Sequence, residues 1–305
     1  MLSEELLALL DRQGGVVLHE QALHHGVRRR ELGPPASGRP LVRIRTGAYV
    51  PNHLLNSATP ARRMALRVAA ERACSGVDLI AFGATAAAVH GLSTLGRPDG
   101  LQLRERVGER PLHHGQSADL AAVDVTEVFG VPVTTAARTA IDVARLCSLA
   151  AGVITADAAL RAGVARRELA AALERTRGWP GIVQARFTMD FADPGAESAL
   201  ESLGRVRMHE HGLPAPTLQA VIADADGTFA RVDHYWEDLR VVGEADGALK
   251  YAEPGSLFLE KQREDRMRDL GLAVVRYTWD EALHRPVIMM GRFLRAFERQ
   301  RRAAA

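Results

Sequence analysis

The fold of the C-terminal third is decided by residues 218–246, which read LQAVIADADGTFARVDHYWEDLRVVGEAD. Alternating residues in this stretch form three strand-like runs, at 218–223, 228–236 and 239–245. Asp226-Gly227 separates the first two runs, and Glu237-Asp238 separates the last two. Because Asp-Gly between alternating runs is typical of a β-hairpin, the stretch predicts an antiparallel meander of three strands.

Helices and a fourth strand are predicted on the two sides of the meander. Before it, Asp193-Pro194 is a typical helix start and Gly212 a typical stop, which predicts one helix over 194–211. The elements predicted after the meander are a charged helix over 257–270, a strand over 272–277 and a last helix from about Pro286. The predicted order is therefore helix, three strands, helix, strand.

Charge is divided sharply along this part of the chain. Residues 219–260 hold nine acidic and three basic residues, a net charge of −6, whereas residues 261–305 hold eleven basic and six acidic residues, a net charge of +5. Hydrolysis of phosphodiesters uses both signs, because carboxylates gather Mg²⁺ and cationic side chains hold a polyanionic substrate. The acidic segment followed by a basic one therefore indicates phosphodiester hydrolysis.

Three carboxylates of the meander region are predicted to converge. Asp233 lies on the second strand, and Glu244 and Asp246 share one face of the third because side chains alternate along a strand. Ionised carboxylates in an apolar run are costly to bury unless they are paired or bind a metal. Glu197 and Glu201 are four residues apart on the predicted helix, where they form either a cation-facing surface or a solvated pair.

Several motifs together resemble the very-short-patch-repair (Vsr-like) endonuclease domains of the PD-(D/E)xK superfamily, over residues 193–285. They are Asp233-His234-Tyr235-Trp236, Val242-Gly243-Glu244-Ala245-Asp246-Gly247, Lys250-Tyr251, Glu260-Lys261-Gln262-Arg263-Glu264-Asp265 and Val275-Arg276. The resemblance implies an αβββαβ nuclease-like domain that uses Mg²⁺ or Mn²⁺.

The resemblance also implies roles for individual residues. It makes Asp233 and Glu244 metal ligands. It makes Glu201, or else Glu197, the carboxylate that the first helix of the domain contributes to the site. Asp246 is a further catalytic and metal-binding candidate, but it stands where the superfamily usually has lysine and cannot supply a positive charge. The remaining candidates are Lys250, as a lysine that reaches back to the site, and Gln262 and Arg263, as groups that hold phosphate.

The N-terminal residues 3–51 are predicted to form a winged helix-turn-helix. A leucine-rich helix over 3–13 ends at Gly14-Gly15, further short helical pieces follow, and residues 41–50 have the pattern of a β-ribbon. In such a unit a helix enters the DNA major groove and the wing meets the phosphate backbone. The predicted nucleic-acid contacts are Arg28, Arg29, Arg30, Arg43 and Arg45. The alternative is that these arginines form a solvated face.

Residues 60–192 contain no constellation typical of catalysis. Residues 134–142, TTAARTAID, have the pattern of a capped helix start and a structural role. Together with the N-terminal unit, residues 131–142 resemble the AbiEi-type antitoxin and transcriptional-regulator family. We therefore predict an α+β protein of three regions: a winged helix-turn-helix over 1–55, a helical or mixed middle region over 56–192, and the nuclease-like domain over 193–305.

Composition limits how the protein can bind nucleic acid, zinc or a membrane. The 305 residues include 39 Lys+Arg and 37 Asp+Glu, a net charge of +2, so nucleic-acid binding must arise from local charge separation. Cys74 and Cys147 lack the spacing of a zinc site. No run of 18 apolar residues occurs, and the first residues are acidic rather than basic, which predicts a cytoplasmic protein without a membrane partner.

Three functions remain open from the sequence. The first is a metal-dependent endonuclease domain joined to a DNA-binding unit. The second is a transcriptional regulator or antitoxin, with a cognate toxin or a second copy as partner, in which the nuclease fold is an inactive scaffold. In the third, the carboxylates only form turns and ion pairs.

Overall fold

The computed structural model describes residues 2–35, 38–96, 100–105, 120–247 and 256–305. Within these ranges the chain is mixed α+β, as predicted, and no helix is long and apolar enough to cross a membrane. The chain divides into an N-terminal unit, Met1–Cys147 with Ala162–Phe187, and a C-terminal unit, Ser148–Arg161 with Thr188–Ala305.

The helices and strands follow one another in a mixed order. In chain order they are α1 (Glu4–Arg12), β1 (Val17–Leu18), α2 (His19–His24), β2 (Leu32–Gly33), β3 (Leu41–Arg45), β4 (Ala48–Pro51), α3 (Asn52–Ser57), α4 (Pro60–Ser75), β5 (Leu79–Ala81), α5 (Gly83–His90), β6 (Leu103–Glu105), β7 (Val125–Val128), β8 (Val131–Thr134), α6 (Ala136–Leu146), α7 (Leu149–Arg161), α8 (Arg166–Arg175), α9 (Ile182–Phe191), α10 (Ala199–Glu210), β9 (Thr217–Asp224), β10 (Gly227–Trp236), β11 (Val241–Ala245), α11 (Ser256–Asp269), β12 (Ala273–Tyr277), α12 (Trp279–His284) and α13 (Pro286–Ala304).

The N-terminal unit contains two four-stranded sheets, with strand orders β1-β4-β3-β2 and β6-β5-β8-β7. The predicted ribbon is the antiparallel pair β3 and β4. One apolar cluster joins the two sheets through α4, with Val42 and Val50 from the first sheet, Leu66 from α4, and Ala81 and Val133 from the second. The predicted regions 1–55 and 56–192 therefore contribute residues to one core.

Of the short helical pieces predicted before the ribbon, α1 and α2 are α-helices. Helix α1 starts at the Ser3 cap, whose hydroxyl accepts the Leu6 amide at 3.3 Å. The piece after α2 is a single 3-10 turn, Arg29–Glu31, that leads into β2. A single turn has too few residues to present a helix face to a DNA groove.

A buried ionic network fixes α6 in the N-terminal unit. The predicted cap is confirmed, because the Thr135 hydroxyl accepts the Arg138 amide at 3.3 Å. The Arg138 guanidinium, 1% exposed, contacts Asp124 at 2.9 Å and Asp142 at 3.1 Å. Arg175 donates its Nε to the same Asp124 at 3.0 Å. The network joins α6 and α8 to the turn before β7.

The C-terminal unit is built on a sheet of order β12-β11-β10-β9. Strands β9, β10 and β11 are antiparallel neighbours and β12 is parallel to β11, so the predicted meander and the order helix, three strands, helix, strand are confirmed. The turn between β9 and β10 is stabilised by the Asp224 side chain, which accepts the Asp226 amide at 3.0 Å.

The helix predicted over 194–211 begins later than expected. Asp193 accepts the Gly195 amide at 2.8 Å and forms a local turn, and Ser198 is the true cap, accepting the Glu201 amide at 3.1 Å. The prediction of Pro194 as the first helical residue was wrong because the Asp193 side chain closes a turn instead of capping a helix. Glu197 therefore precedes α10, and the predicted helix pair of Glu197 and Glu201 does not form.

An aromatic layer supports one side of the sheet. Trp236 packs edge-on against Phe293 and Phe297 of α13, with ring centres 5.3 and 5.2 Å apart. Tyr277 is buried against α10 at Gly204, where a β-carbon would overlap the tyrosine hydroxyl. A glycine is thus required for the close approach of α10 to β12.

Candidate functional site

Three carboxylates of the C-terminal unit come from neighbouring elements: Glu201 from α10, Asp233 from β10 and Glu244 from β11. His234 pairs with Gly243 across the antiparallel ladder, which places Asp233 opposite Glu244 at the next position. Like charges directly opposite one another on two strands destabilise a sheet. A cation beside these acids offsets the repulsion, and Arg263 of α11 supplies one at Glu244.

Asp233 lies where the ladder between β10 and β11 ends. Its Oδ2 atom accepts the backbone amide of Ala245 at 2.8 Å. The Oδ1 atom makes no hydrogen bond with the part of the chain that the structure describes. One oxygen of Asp233 thus fixes the side chain at the end of the ladder.

Glu244 is a buried carboxylate, with 5% of its surface exposed. Arg263 of α11 contacts its Oε2 atom at 2.8 Å. Burial of an ionised carboxylate is costly without a partner, and the guanidinium offsets that cost. Arg263 therefore provides a positive charge at Glu244.

Glu201 is also buried, with 6% of its surface exposed. Its Oε2 atom accepts the Glu197 amide at 2.8 Å and the Gln219 side chain at 2.9 Å. Burial raises the pKa of Glu201, and the negative charge of Asp233 raises it further. A glutamate of raised pKa holds a proton more readily near neutral pH than an exposed one.

Gln219 holds a strained backbone conformation beside Glu201. Its φ angle is +50°, in the left-handed region that residues other than glycine seldom adopt. Such strain costs about 1–3 kcal/mol and is concentrated at functional sites. From this conformation the Gln219 side chain donates its hydrogen bond to Glu201.

Tyr277 and His234 lie behind the carboxylates. The Tyr277 hydroxyl is 2.7 Å from His234 Nε2, and both rings are fully buried. Burial raises the pKa of Tyr277 well above its usual value, and the charges of Asp233, Glu201 and Glu244 add to this effect. All three carboxylates thus act electrostatically on one hydroxyl group. Burial lowers the pKa of His234 to about 3, so that this imidazole stays neutral.

The other predicted site residues of this unit differ in their surroundings. Glu197 binds the guanidinium of Arg231 through both oxygens, each at 2.8 Å, on an exposed part of the surface. Asp246 follows the end of β11, and its amide donates to the Tyr277 carbonyl at 2.8 Å. Gln262 is exposed on α11. Lys250 lies outside the described residues.

The predicted N-terminal contacts with nucleic acid differ in their surroundings. Arg28, Arg29 and Arg30 are exposed at the 3-10 turn, and Arg43 is exposed on β3. Arg45 forms an ion pair with Glu71 of α4. Four of the five arginines are therefore exposed, and the fifth is engaged within the unit.

The amino-acid sequence is similar to those of two curated proteins. No family model and no solved structure matches it. Two curated proteins from two strains of Mycobacterium tuberculosis, described as the uncharacterized proteins MT2308 and Rv2248, are each 34% identical to it over 252 residues. The match covers 78% of this chain and 88% of each relative. The chain belongs to the family of these two mycobacterial proteins.

The donor chemistry of the carboxylates can be compared with what Mg²⁺ requires. Within the described residues, no group of three or more His, Cys, Asp or Glu side chains is placed to hold a metal ion. Mg²⁺ in proteins keeps several waters and is commonly held by only one or two carboxylates together with substrate phosphate. Asp233 and Glu244 supply two carboxylates on adjacent strands. Their oxygens are the donors that this cation prefers.

Some residues of the site could not be inferred from local patterns. Gln219 and Tyr277 are a polar and an aromatic residue within strand-like runs, which by itself indicates no function. The ion pair of Arg263 with Glu244 joins residues 19 positions apart. The sequence predicted Arg263 as a group that holds phosphate, and the structure places it on Glu244 instead.

Proposed function

We propose that the C-terminal unit hydrolyses phosphodiester bonds of DNA with Mg²⁺ or Mn²⁺ as cofactor. The observation that carries this proposal is the placement of Asp233 opposite Glu244, with Glu201 close enough for Asp233 to raise its pKa. The αβββαβ element order and the resemblance to PD-(D/E)xK endonucleases support it. Asp233 and Glu244 are the residues that would hold the cation.

Each side chain has a distinct part in this proposal. A bound divalent cation supplies an activated water and neutralises charge on the leaving oxygen. Glu201, with its raised pKa, takes up or returns a proton. Arg263 supplies the fixed positive charge that Asp246, at the usual lysine position, cannot.

The test is a cleavage assay with the purified chain. We expect supercoiled plasmid to be nicked or linearised with Mg²⁺ or Mn²⁺ and left intact with EDTA. A chain carrying both Asp233→Asn and Glu244→Gln, incubated in parallel, is expected to leave the plasmid intact in every buffer. Equal cleavage by this variant and by the unchanged chain would refute the proposed site.

A second candidate function is DNA binding without cleavage, as in a transcriptional regulator or antitoxin. The observation that favours it is the group of exposed arginines at the 3-10 turn and on β3, residues 28, 29, 30 and 43. We expect the chain to shift DNA from the region upstream of its own gene in a gel assay. Replacing Arg43 and Arg30 with alanine is expected to weaken the shift and to lower its salt dependence. An unchanged shift would exclude this surface.

A further inference from the structure

A groove of about 410 Å³ runs along the edge of the C-terminal sheet, between β12 and α13. Its charged lining consists of four arginines and one glutamate, which gives a net charge of +3. These residues are Arg276 of β12, Arg292, Arg295 and Arg299 of α13, and Glu264 of α11. The three arginines of α13 follow one another at intervals of three and four residues, so they share one face of the helix.

The arginines of the groove are only partly neutralised by the protein. Arg276 binds Glu260 at 2.9 Å and Glu264 at 3.1 Å, and Arg292 binds Glu281 at 2.6 Å. Among the described residues, Arg295 and Arg299 make no ion pair, and both are exposed.

Two arginines of the groove also have hydrogen-bond donors without an acceptor among the described residues. The Nε atoms of Arg276 and Arg292 are buried and find no acceptor among the residues that the structure describes. Buried donors of this kind normally have an acceptor, and an anion bound in the groove would supply one. Two unpaired donors and two unpaired cations around one groove indicate an anion with several acceptor oxygens.

The groove adjoins the carboxylates of the proposed nuclease site. Arg276 is the neighbour of Glu244 in the parallel ladder between β11 and β12, about 4.8 Å away across the strands. A strand of nucleic acid whose phosphate is cleaved at Asp233 and Glu244 would need a cationic surface for its adjacent phosphates. Guanidinium groups suit this purpose because they bind phosphate oxygens in pairs.

We propose that this groove binds the sugar-phosphate backbone of the DNA that the C-terminal unit cleaves. The proposal rests on the proposed function, and it adds the surface that holds the substrate. It predicts that affinity depends on Arg295 and Arg299, whereas Arg301 and Arg302, which lie on the same helix outside the groove, contribute little.

The test is an anisotropy titration of a fluorescein-labelled DNA duplex in EDTA, so that no cleavage occurs. The parent protein is the 305-residue chain with Arg28→Gln, Arg29→Gln, Arg30→Gln and Arg43→Gln, which removes the exposed N-terminal candidates. The groove variant adds Arg295→Gln with Arg299→Gln. The control variant instead adds Arg301→Gln with Arg302→Gln, which changes the same charge on the same helix, outside the groove. Circular dichroism confirms that all of the proteins are folded.

We expect the groove variant to raise the Kd about tenfold and to lower the slope of log Kd against log salt by about 2, as for the loss of two phosphate contacts. The control variant is expected to retain the Kd and the slope of its parent. An unchanged Kd in the groove variant, or equal losses in both variants, would overturn the proposal. Competition by poly-glutamate as strong as that by unlabelled duplex would also overturn it, in favour of an acidic peptide ligand.

This result is independent of the cleavage assay. If the groove proposal fails while cleavage still requires Asp233, the nuclease site stands and its substrate is held elsewhere. If the groove binds DNA but the unchanged chain does not cleave in Mg²⁺ or Mn²⁺, the proposed function fails and the groove is a binding surface of another kind.

Discussion

Replacing Asp233 with asparagine is expected to lower the rate of plasmid cleavage in Mg²⁺ about 1,000-fold. The amide keeps the shape of the carboxylate and an oxygen for the Ala245 amide, so the end of the ladder is preserved. It removes the charge that would hold the cation, and such charge stabilisation of a transition state is worth several kcal/mol, where about 4 kcal/mol corresponds to 1,000-fold.

Two aspartates of the same meander are matched controls for this change. Asp226 and Asp238 are exposed in the turns on either side of β10. Asp226→Asn and Asp238→Asn alter the net charge by the same amount and are expected to leave the rate within about twofold of the unchanged chain, because exposed charges interact weakly through water. A comparable loss in all three variants would show that the general acidity of the hairpin, and no site at Asp233, controls cleavage.

Replacing Asp124 with alanine is expected to lower the free energy of unfolding by about 3–5 kcal/mol, the usual cost of removing one partner from a buried ion pair. Asp124 is fully buried and accepts both Arg138, at 2.9 Å, and Arg175, at 3.0 Å. Arg138 also lies over the Trp179 ring at 4.7 Å and keeps Asp142 as its other partner. Its guanidinium would remain buried with half of its counter-charge gone.

Urea denaturation followed by circular dichroism measures this loss. Glu298→Ala is the control, because Glu298 forms an exposed pair with Arg302 on α13, and breaking such a pair changes stability by about 0–1 kcal/mol. Equal, small effects of the two substitutions would mean that the network around Arg138 contributes no more to folding than a surface pair. Cleavage by folded Asp124→Ala protein is expected to match the unchanged chain, since Asp124 belongs to the N-terminal unit.

Local patterns predicted most elements of the C-terminal unit. Asp226-Gly227 marked the hairpin, Gly271 ended α11, and Pro286 opened α13. These signals are properties of single residues and their backbone preferences. The start of α10 was missed because Asp193 and Ser198 are both good caps, and only their tertiary contacts decide between a turn and a helix.

The pairing of side chains was much less predictable than the elements. The sequence indicated that Asp233 and Glu244 would converge, since alternation and the hairpin fix their register. It did not indicate that Glu197 would bind Arg231, because that contact depends on where α10 starts. Arg175 and Asp124 are 51 residues apart, so no periodicity could reveal their contact.

Calorimetric titration of Mn²⁺ into the 305-residue chain tests most directly whether Asp233 and Glu244 form a metal-dependent site. We predict a saturable heat of binding for the unchanged chain and for the control Asp226→Asn. The same titration of Asp233→Asn and of Glu244→Gln is predicted to give only the heat of dilution. Equal binding heats in all four proteins, or no binding heat in the unchanged chain, would contradict the account.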